Sequence, residues 1–576
     1  MIKPKKSVQN MTGYYVPMYE TDWDIKIDSN ENNYGASPKV TETIKNTNWK
    51  DISFYPFYGE LSQKIADFYG FEADNIKVTN GADEAIQGII QTYTDKDDTL
   101  LTLDISFDMP IIYATICGAK IKKVPFEKKW DFPINTFLNS IDESVKIIYI
   151  ASPNNPTGSV INENDLIKII EKAKDKAIII DETYANYSNK TFKNLVNKYD
   201  NLFLVRSFSK DFALAGLRLG CIISNKQNID ELKKVISPFS VNKIAMKAGI
   251  SALDDADYFK KIKQEILKSK AYLTTFFEKI GATVYPSEAN FLLIDLKDKA
   301  QYIYNRLRKE NISVKLFKKG SLLENHIRLT IPTIKGVEKI ENILQPKPFL
   351  VFDMDGVIID ASMSYRLAIA KTYEYFAKKE ISSKEIQDAK NLGGLNNDWD
   401  LTQYLLKKEG INVEYEKIVE KFQELYWADG NGYINNETLL FDENMIKELS
   451  KSYNLAIFTG RLQKEAMFAL KKFNIDKYFC PIITTDDIPQ GKGKPDSFGL
   501  NLIKSNTISN KYYYFGDTID DIKSALGANY VATGVLPPSD KSDLLKNHFK
   551  DNGADFVIES INNIKTVLEK ENEKVH

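Results

Sequence analysis

The sequence predicts an α/β chain of two units, each built on a mostly parallel sheet covered by helices, and three observations predict it. First, the apolar runs KIIYIASP (146–153), KAIIIDE (176–182) and LFLVRSFS (202–209) each stop where polar residues begin, and amphipathic stretches such as ENDLIKIIEKAKDK (163–176) lie between them. Buried strands alternating with helices mark a parallel sheet covered on both faces. Second, the pattern restarts after the stiff polar junction PKP (346–348), with FLVFDMDGVIID (349–360) as a new first strand. Third, 576 residues exceed what one core accommodates. Within the second unit the segment from about 362 to 448 reads as mostly helical, with the polar insert GGLNNDWD (393–400), before strands resume at NLAIFTG (454–460). It is therefore expected to be an α/β core with a helical insertion after its first strand.

Composition narrows the function classes. A net charge of -2 supplies no positive field for nucleic acid or anionic lipid, and no apolar stretch approaches the roughly 18 residues that span a bilayer. The N-terminal MIKPKKSVQN is basic and leads into polar residues, so no export signal is expected and the chain is placed in the cytoplasm. Cys117, Cys221 and Cys480 are too far apart in sequence for a disulfide framework or a clustered zinc motif, and His326, His548 and His576 are equally scattered.

Four motifs in the first half converge on one chemistry. In SFSKDFALAGLRLG (207–220), Lys210 lies between hydroxyls and a Gly-containing turn, with Arg218 eight residues on. A lysine that bonds to a cofactor aldehyde needs its amine desolvated, and Ser207, Ser209 and Arg218 suit a cofactor phosphate. DETY (181–184) ends a strand, where open α/β sheets place ligands; Asp181 can pair with a protonated ring nitrogen and Tyr184 can reach a ring hydroxyl. SPNNPTG (152–158) offers Asn155 at another strand end, and NGADE (80–84) opens a helix whose N-terminus suits a phosphate.

With DSNENNYG (28–35) and FYPFYG (54–59), these segments resemble the fold-type I pyridoxal-phosphate enzymes, in particular histidinol-phosphate aminotransferases, over about residues 10–345. The resemblance implies a large domain on a mostly parallel sheet and a small α/β domain formed from the N-terminal arm and about 240–345. It implies that Lys210 bonds to pyridoxal 5'-phosphate and shuttles protons, that Asp181 pairs with the pyridine nitrogen, and that Asn155 and Tyr184 hold the phenolic oxygen. Phe107 would stack on the ring, while Gly81, Ala82, Ser207, Ser209 and Arg218 would hold the phosphate. Tyr55 would reach the cofactor of a neighbouring subunit, which implies a homodimer. Arg328 would grip the acidic end of the substrate. Where the family has a second substrate-binding arginine, thirteen positions earlier, this chain has Lys315, and Asn33 replaces the usual proline of NENP. Lysine keeps the charge but lacks the bidentate fork.

In the second half, DMDGVIID (353–360) sets two aspartates one residue apart on a strand exit, one able to attack a phosphoryl group and the other to handle the leaving-group proton. FTGR (458–461) adds Thr459, GKGKPDSFG (491–499) adds Lys494, and YYYFGDTIDD (512–521) adds Asp517 and Asp521, suited to a hard oxygen-liganded cation. This set resembles the haloacid-dehalogenase superfamily, in its phosphoglycolate-phosphatase-like branch with a helical cap, over about 349–570. The resemblance implies a Rossmann-like core, Asp353 as the nucleophile, and Asp355 as general acid/base and, through its carbonyl, a metal ligand. It further implies Mg²⁺ held by Asp353, Asp355, Asp517 and Asp521, with Thr459 and Lys494 on the phosphoryl oxygens. The cap segment around Asn396–Asp400 would help select substrate. The histidinol phosphatases of this superfamily carry a DxDGT start and a cysteine-rich zinc loop; this chain has DMDGV and no such loop.

Together the halves predict a bifunctional enzyme. It would transfer an amino group between glutamate (giving 2-oxoglutarate) and a small phosphorylated ketone, then hydrolyse the phosphorylated amine. Imidazole-acetol phosphate would lead to histidinol and dihydroxyacetone phosphate to serinol. A phospho-amino-acid decarboxylase fused to a phosphatase is the other catalytic reading. A chain in which one half only binds or dimerises would show a degraded motif, and neither half does.

Overall fold

In a computed structural model the chain separates into two compact units, Met1–Leu344 and Gln345–His576. The structure describes residues 2–9, 11, 22–390, 395 and 397–573. Residues 12–21 of the expected N-terminal arm, Asn396 and His576 lie outside these.

The first unit is organised by a seven-stranded sheet of β1 (Ile76–Thr79), β2 (Thr99–Leu103), β3 (Lys120–Val124), β4 (Val145–Ala151), β5 (Ala177–Asp181), β6 (Leu202–Ser207) and β7 (Gly220–Ile223). The spatial order is β1-β7-β6-β5-β4-β2-β3. Strands β2 to β6 run parallel, and β7 is antiparallel to both neighbours. Every residue of β5 and β6 is buried, as is all of β4 except Lys146. That is why these strands read as unbroken isoleucine-rich runs rather than as an alternation. Their ends are in register: Ala151 pairs with Asp181 and Asp181 with Val205. The loops Ser152–Gly158, Glu182–Tyr184 and Phe208–Lys210 thus leave one edge of three adjacent strands. Gly220 pairs with both Thr79 and Ser207, which brings the turn opening helix α1 (Gly81–Tyr93) beside the end of β6.

A four-stranded antiparallel sheet follows, of β8 (Thr283–Val284), β9 (Phe291–Asp295), β10 (Lys315–Leu316) and β11 (His326–Thr330), in the order β10-β11-β9-β8. Lys315 and Arg328 are directly paired across β10 and β11. The segment Ile25–Lys26 pairs with Ile312–Ser313, and the Asn30 N–H donates to Thr330 Oγ1 at 3.0 Å. The 28–30 loop is thereby anchored to this sheet.

The second unit has a wholly parallel six-stranded sheet interrupted by an insertion. Its strands are β12 (Phe349–Phe352), β15 (Asn454–Phe458), β16 (Phe479–Ile483), β17 (Tyr512–Gly516), β18 (Val531–Val535) and β19 (Phe556–Ile558), ordered β16-β15-β12-β17-β18-β19. The chain leaves through β13 (Ile359–Asp360) and returns through β14 (Thr438–Leu439), which pair antiparallel. Between them lie α2 (Tyr365–Ala377), α3 (Ser383–Lys390), α4 (Asp398–Lys408) and α5 (Tyr415–Tyr426). These helices bury their own core of Ile369, Leu401, Leu405, Phe422 and Tyr426. The following helix, Glu443–Ser452, instead contributes Ile446 and Leu449 to the core under the sheet. Both units are α/β, as the sequence predicts.

Candidate active sites

In the first unit Lys210 stands three residues beyond β6, and its Nζ donates to the Ser29 carbonyl at 2.8 Å. Burial pulls the Lys210 pKa down to about 8, and the nearby Arg328 charge pushes the same way. The Tyr187 hydroxyl donates to the Lys210 carbonyl at 2.7 Å and fixes the loop. Asp181 closes β5 and is buried; it accepts from the Tyr149 hydroxyl at 2.8 Å and from the Thr183 N–H at 2.9 Å. Burial raises its pKa above the ordinary carboxylate value, and these hydrogen bonds oppose the rise. Such a carboxylate gains from a cationic partner.

Tyr184 accepts at its hydroxyl from Asn30 Nδ2 at 2.9 Å. Asn155 Oδ1 accepts from Arg328 Nη1 at 2.6 Å, and Arg328 Nη2 donates to the Asp28 carbonyl. Arg328, which contacts Asn155, and Lys315 thus offer paired cations on neighbouring strands. Half-buried Phe107 and Ala82 pack against the core of the large sheet.

The phosphate-suited corner is lined by bare backbone. A Cβ on Gly81, at φ +77°, would lie 2.7 Å from Arg218 Nη2. One on Gly220 would meet Gly81 C at 2.6 Å and Ala82 N at 2.8 Å. Glycine at both positions lets the guanidinium and the first amides of α1 converge. Arg218 Nη2 donates to Asp83 at 2.8 Å and Nη1 to the Ala215 carbonyl at 3.3 Å and the Ser209 hydroxyl at 3.5 Å. Ser207 Oγ accepts the Ser209 N–H at 3.2 Å. Tyr55 lies at the surface, 70% exposed and stacked 4.5 Å from Phe239.

Sequence reasoning passed over Tyr149, Asn30, Ser29 and Asn154. Asn154 binds the Ile105 carbonyl at 3.0 Å and the Ser106 hydroxyl at 2.7 Å, tying the loop that carries Asn155 to the loop that carries Phe107. Tyr149 carried one signal, being the lone hydroxyl in a strand that apart from Lys146 is apolar and buried, two residues before the pairing partner of Asp181.

In the second unit the functional side chains again follow adjacent parallel strands: Asp353 after β12, Thr459 after β15, Asp517 after β17. Lys494 Nζ bridges Asp353 at 2.8 Å and Asp521 at 2.7 Å. Carboxylate oxygens of Asp353, Asp517 and Asp521 lie within 4.8 Å of one another. Glycines permit this crowding. A Cβ on Gly356 would sit 2.1 Å from Asp517 Oδ2, and one on Gly516 would sit 2.2 Å from the Asp521 Cβ. Asp521 is fixed by Tyr514 at 3.0 Å and by the Thr518 hydroxyl at 2.7 Å, where it completes a capping box at the start of α6 (Ile519–Gly527).

Burial raises the pKa of both Asp353 and Asp517, and the charges of the other carboxylates raise Asp517 further. Burial alone would discharge Lys494, but Asp353 and Asp521 hold its pKa above the ordinary value. Three carboxylates against one ammonium leave a deficit that a divalent, oxygen-liganded cation fits.

Asp355 does not turn into this cluster. Its carboxylate is held by Arg461, through Nε at 3.2 Å and Nη2 at 2.6 Å. Thr459 is fully buried and accepts the Arg461 N–H at 3.3 Å. The cap walls the cavity with Arg366, Lys390 and Trp399, and Lys390 pairs with Asp398 at 2.9 Å. Arg461 was absent from the sequence-derived set although it adjoins Thr459.

Two sheets that each converge charged groups at adjacent strand ends define two enzymatic domains, and comparison with known proteins gives each its class. Residues 24–344 match the family Aminotransferase class I and II, and residues 350–535 match Haloacid dehalogenase-like hydrolase. The chain therefore belongs to the aminotransferase class I and II family, with a haloacid-dehalogenase-superfamily hydrolase domain behind the fold-type I domain. It is similar to the histidinol-phosphate aminotransferase of Methanocaldococcus jannaschii, 34% identical over 330 residues that make up 56% of this chain and 88% of that protein. Among solved structures it resembles the histidinol-phosphate aminotransferase of Clostridium acetobutylicum, with a TM-score of 0.51 and 26% identity over 55% of this chain and 97% of that one. The fold also matches the enzyme of that name from Sinorhizobium meliloti in complex with pyridoxal-5'-phosphate, at a TM-score of 0.52 and 22% identity, covering 56% and 89%. The first unit thus carries aminotransferase-family chemistry, and the second an aspartate cluster suited to hydrolysis through an aspartyl-phosphate. Among the described residues no helix is long and apolar enough to cross a membrane.

Proposed function

We propose that the chain is a bifunctional enzyme: a pyridoxal-phosphate-dependent aminotransferase that passes an amino group from glutamate to a small phosphorylated ketone, followed by a Mg²⁺-dependent phosphatase acting on the phosphorylated amine. The observation that carries the first half is Lys210, a buried amine held to the Ser29 carbonyl with its pKa lowered to about 8, at the edge that also presents Asp181 and Tyr184. Bound pyridoxal phosphate would supply an electron sink. Its phosphate would be held by Gly81, Ala82, Ser207, Ser209 and Arg218, its ring by Phe107, Asp181, Asn155 and Tyr184. Lys210 would, as a free amine, take the proton from the substrate carbon that bears the nitrogen and, as the ammonium, deliver it to the carbon on the other side of that nitrogen. Arg328 and Lys315, paired across β10 and β11, would hold the substrate phosphate, and Arg328 would hold the glutamate side chain in the other half-reaction. The similarity to histidinol-phosphate aminotransferases makes imidazole-acetol phosphate the first ketone to test, with dihydroxyacetone phosphate as the comparison.

Trp49, Ile52, Phe54, Tyr55 and Phe57 are all more than half exposed within nine residues. A patch of this kind suits a subunit interface, and a homodimer in which Tyr55 serves the partner's cofactor follows from this reading.

In the second half Asp353 would attack the phosphorus, displacing the alcohol to which Asp355 gives a proton; water, deprotonated by Asp355, then releases inorganic phosphate from Asp353. Lys494, Thr459 and a Mg²⁺ at Asp353, Asp517 and Asp521 would balance the phosphoryl charge. The two halves are tested by measuring 2-oxoglutarate and inorganic phosphate from glutamate and each ketone with Mg²⁺. Formation of neither product from any phosphorylated ketone contradicts the reading.

A further inference from the structure

The Asp355–Arg461 pair belongs to a larger buried arrangement at the base of the cap. The Arg461 side chain is 1% exposed, and it also reaches Glu437 through Nη1 at 3.0 Å and Nη2 at 2.9 Å. Nη2 is therefore shared between the two carboxylates. Glu437, fully buried at its side chain, is the last residue before β14, where the chain returns from the cap. It also accepts from the hydroxyls of Ser364 at 2.9 Å and Tyr426 at 3.4 Å. Ser364 immediately precedes α2, the first cap helix, and Tyr426 ends α5, the last. One carboxylate thus fastens the outgoing and incoming ends of the cap, and one arginine joins it to Asp355. Above the guanidinium, 5.0 Å from the ring centroid, lies Tyr365, whose hydroxyl donates to Glu465 at 2.7 Å.

A structural role would be served by either carboxylate alone. Leaving one arginine between two acids costs desolvation of three charged groups, and only Asp355 opens onto the cavity, with 34% of its side chain exposed. The fork from Nε and Nη2 fixes the carboxylate plane at both oxygens. A carboxyl that must hand a proton to a leaving oxygen within hydrogen-bond reach gains rate from such fixing.

We infer that Arg461 is a positioning residue that orients Asp355 for proton transfer to the leaving group, and that Glu437 ties this orientation to the hinge of the cap. The inference rests on the proposed roles of Asp353 and Asp355. Arg461 acts through Asp355.

The test separates chemistry that needs leaving-group protonation from chemistry that does not. Initial rates of the full-length protein with Mg²⁺ are compared on p-nitrophenyl phosphate, whose phenolate departs unprotonated, and on an alkyl phosphate such as glycerol 3-phosphate. Arg461→Lys is expected to lower kcat/KM, which reports the step that expels the leaving group and not the shared hydrolysis of the aspartyl-phosphate, at least ten times more for the alkyl ester than for the aryl ester. Glu437→Gln keeps one accepting oxygen for Ser364, Tyr426 and Nη2 but loses the charge and the bond from Nη1, and is expected to shift the same ratio in the same direction by a smaller factor. Equal losses on both esters in the two variants would overturn the inference, because a loosened fold penalises every substrate alike. Should Arg461→Lys fail to fold, the ratio for Glu437→Gln decides alone. Failure of the underlying reading is distinct: the wild-type protein would hydrolyse neither ester, or Asp355→Asn would leave the alkyl-to-aryl ratio unchanged.

Discussion

Lys210 and Asp353 occupy equivalent places, just beyond the carboxyl ends of inner strands of parallel sheet, yet burial helps one and hinders the other. Removing water favours the neutral form of any titratable group. In the role proposed for Lys210 the neutral amine is the nucleophile and base, and desolvation and the Arg328 charge both favour that form. For Asp353 the neutral acid is inert. The second site must restore the charge that burial suppresses: Lys494 does so directly, and in the proposed function a divalent cation at the clustered carboxylates would do the rest. The same strand-end architecture therefore supports one site that runs on desolvation and another that runs on counter-charge.

The largest effects come from breaking each site at its centre. Lys210→Ala is expected to abolish transamination and Asp353→Asn to abolish phosphate release, each by roughly 10³-fold or more, while the other activity persists. Chelation of divalent metal should reproduce the second loss and spare the first, as followed by separate assays of 2-oxoglutarate and phosphate. Next in size, Tyr149→Phe removes the hydroxyl that donates to buried Asp181. A hydrogen bond to a charged group contributes about 1.5–3 kcal/mol, so retention of the cofactor on dialysis should weaken by about ten-fold or more.

The pH dependence of Lys210 sharpens the contrast. In the protein without cofactor its reactivity toward added pyridoxal phosphate should rise with pH about a midpoint near 8. The folded pKa lies below the unfolded lysine value of about 10.4. The unfolded chain therefore binds more protons between about pH 8 and 10, and this group's contribution to stability rises with pH in that window. Arg328→Gln removes a cation that favours the neutral amine, so the midpoint should move upward. The smallest effect is expected from Lys315→Arg. Restoring a bidentate fork opposite Arg328 should raise kcat/KM for imidazole-acetol phosphate several-fold, by about 1 kcal/mol.

What the sequence showed and what it hid follow a physical rule. Lys210, Asp181, Asp353 and Asp517 were legible because each follows an apolar run whose burial marks a strand, and a polar residue at such an end faces the ligand edge. The α/β class was legible for the same reason. Glu437 and Asn30 were not, because their meaning lies in partners far along the chain: Arg461 is 24 residues from Glu437 and 106 from Asp355, and Asn30 meets Thr330 across 300. Strand and helix limits were blurred as well. The amphipathic run 163–176 ends as a helix at Lys172, where Ala173 takes φ -111° and ψ 40° and the chain turns into β5. Lys174, Asp175 and Lys176 continue the charge pattern without continuing the helix.

We propose that two separate sites act in sequence on one phosphorylated substrate. This is tested most directly by following 2-oxoglutarate and inorganic phosphate together in the wild-type protein and in Asp353→Asn, with glutamate, Mg²⁺ and imidazole-acetol phosphate or dihydroxyacetone phosphate. With one of the two ketones the wild-type protein is expected to release phosphate after a lag and one for one with 2-oxoglutarate, while Asp353→Asn is expected to form 2-oxoglutarate and no phosphate. Loss of both products in Asp353→Asn, or phosphate release that does not depend on glutamate, would contradict the proposal.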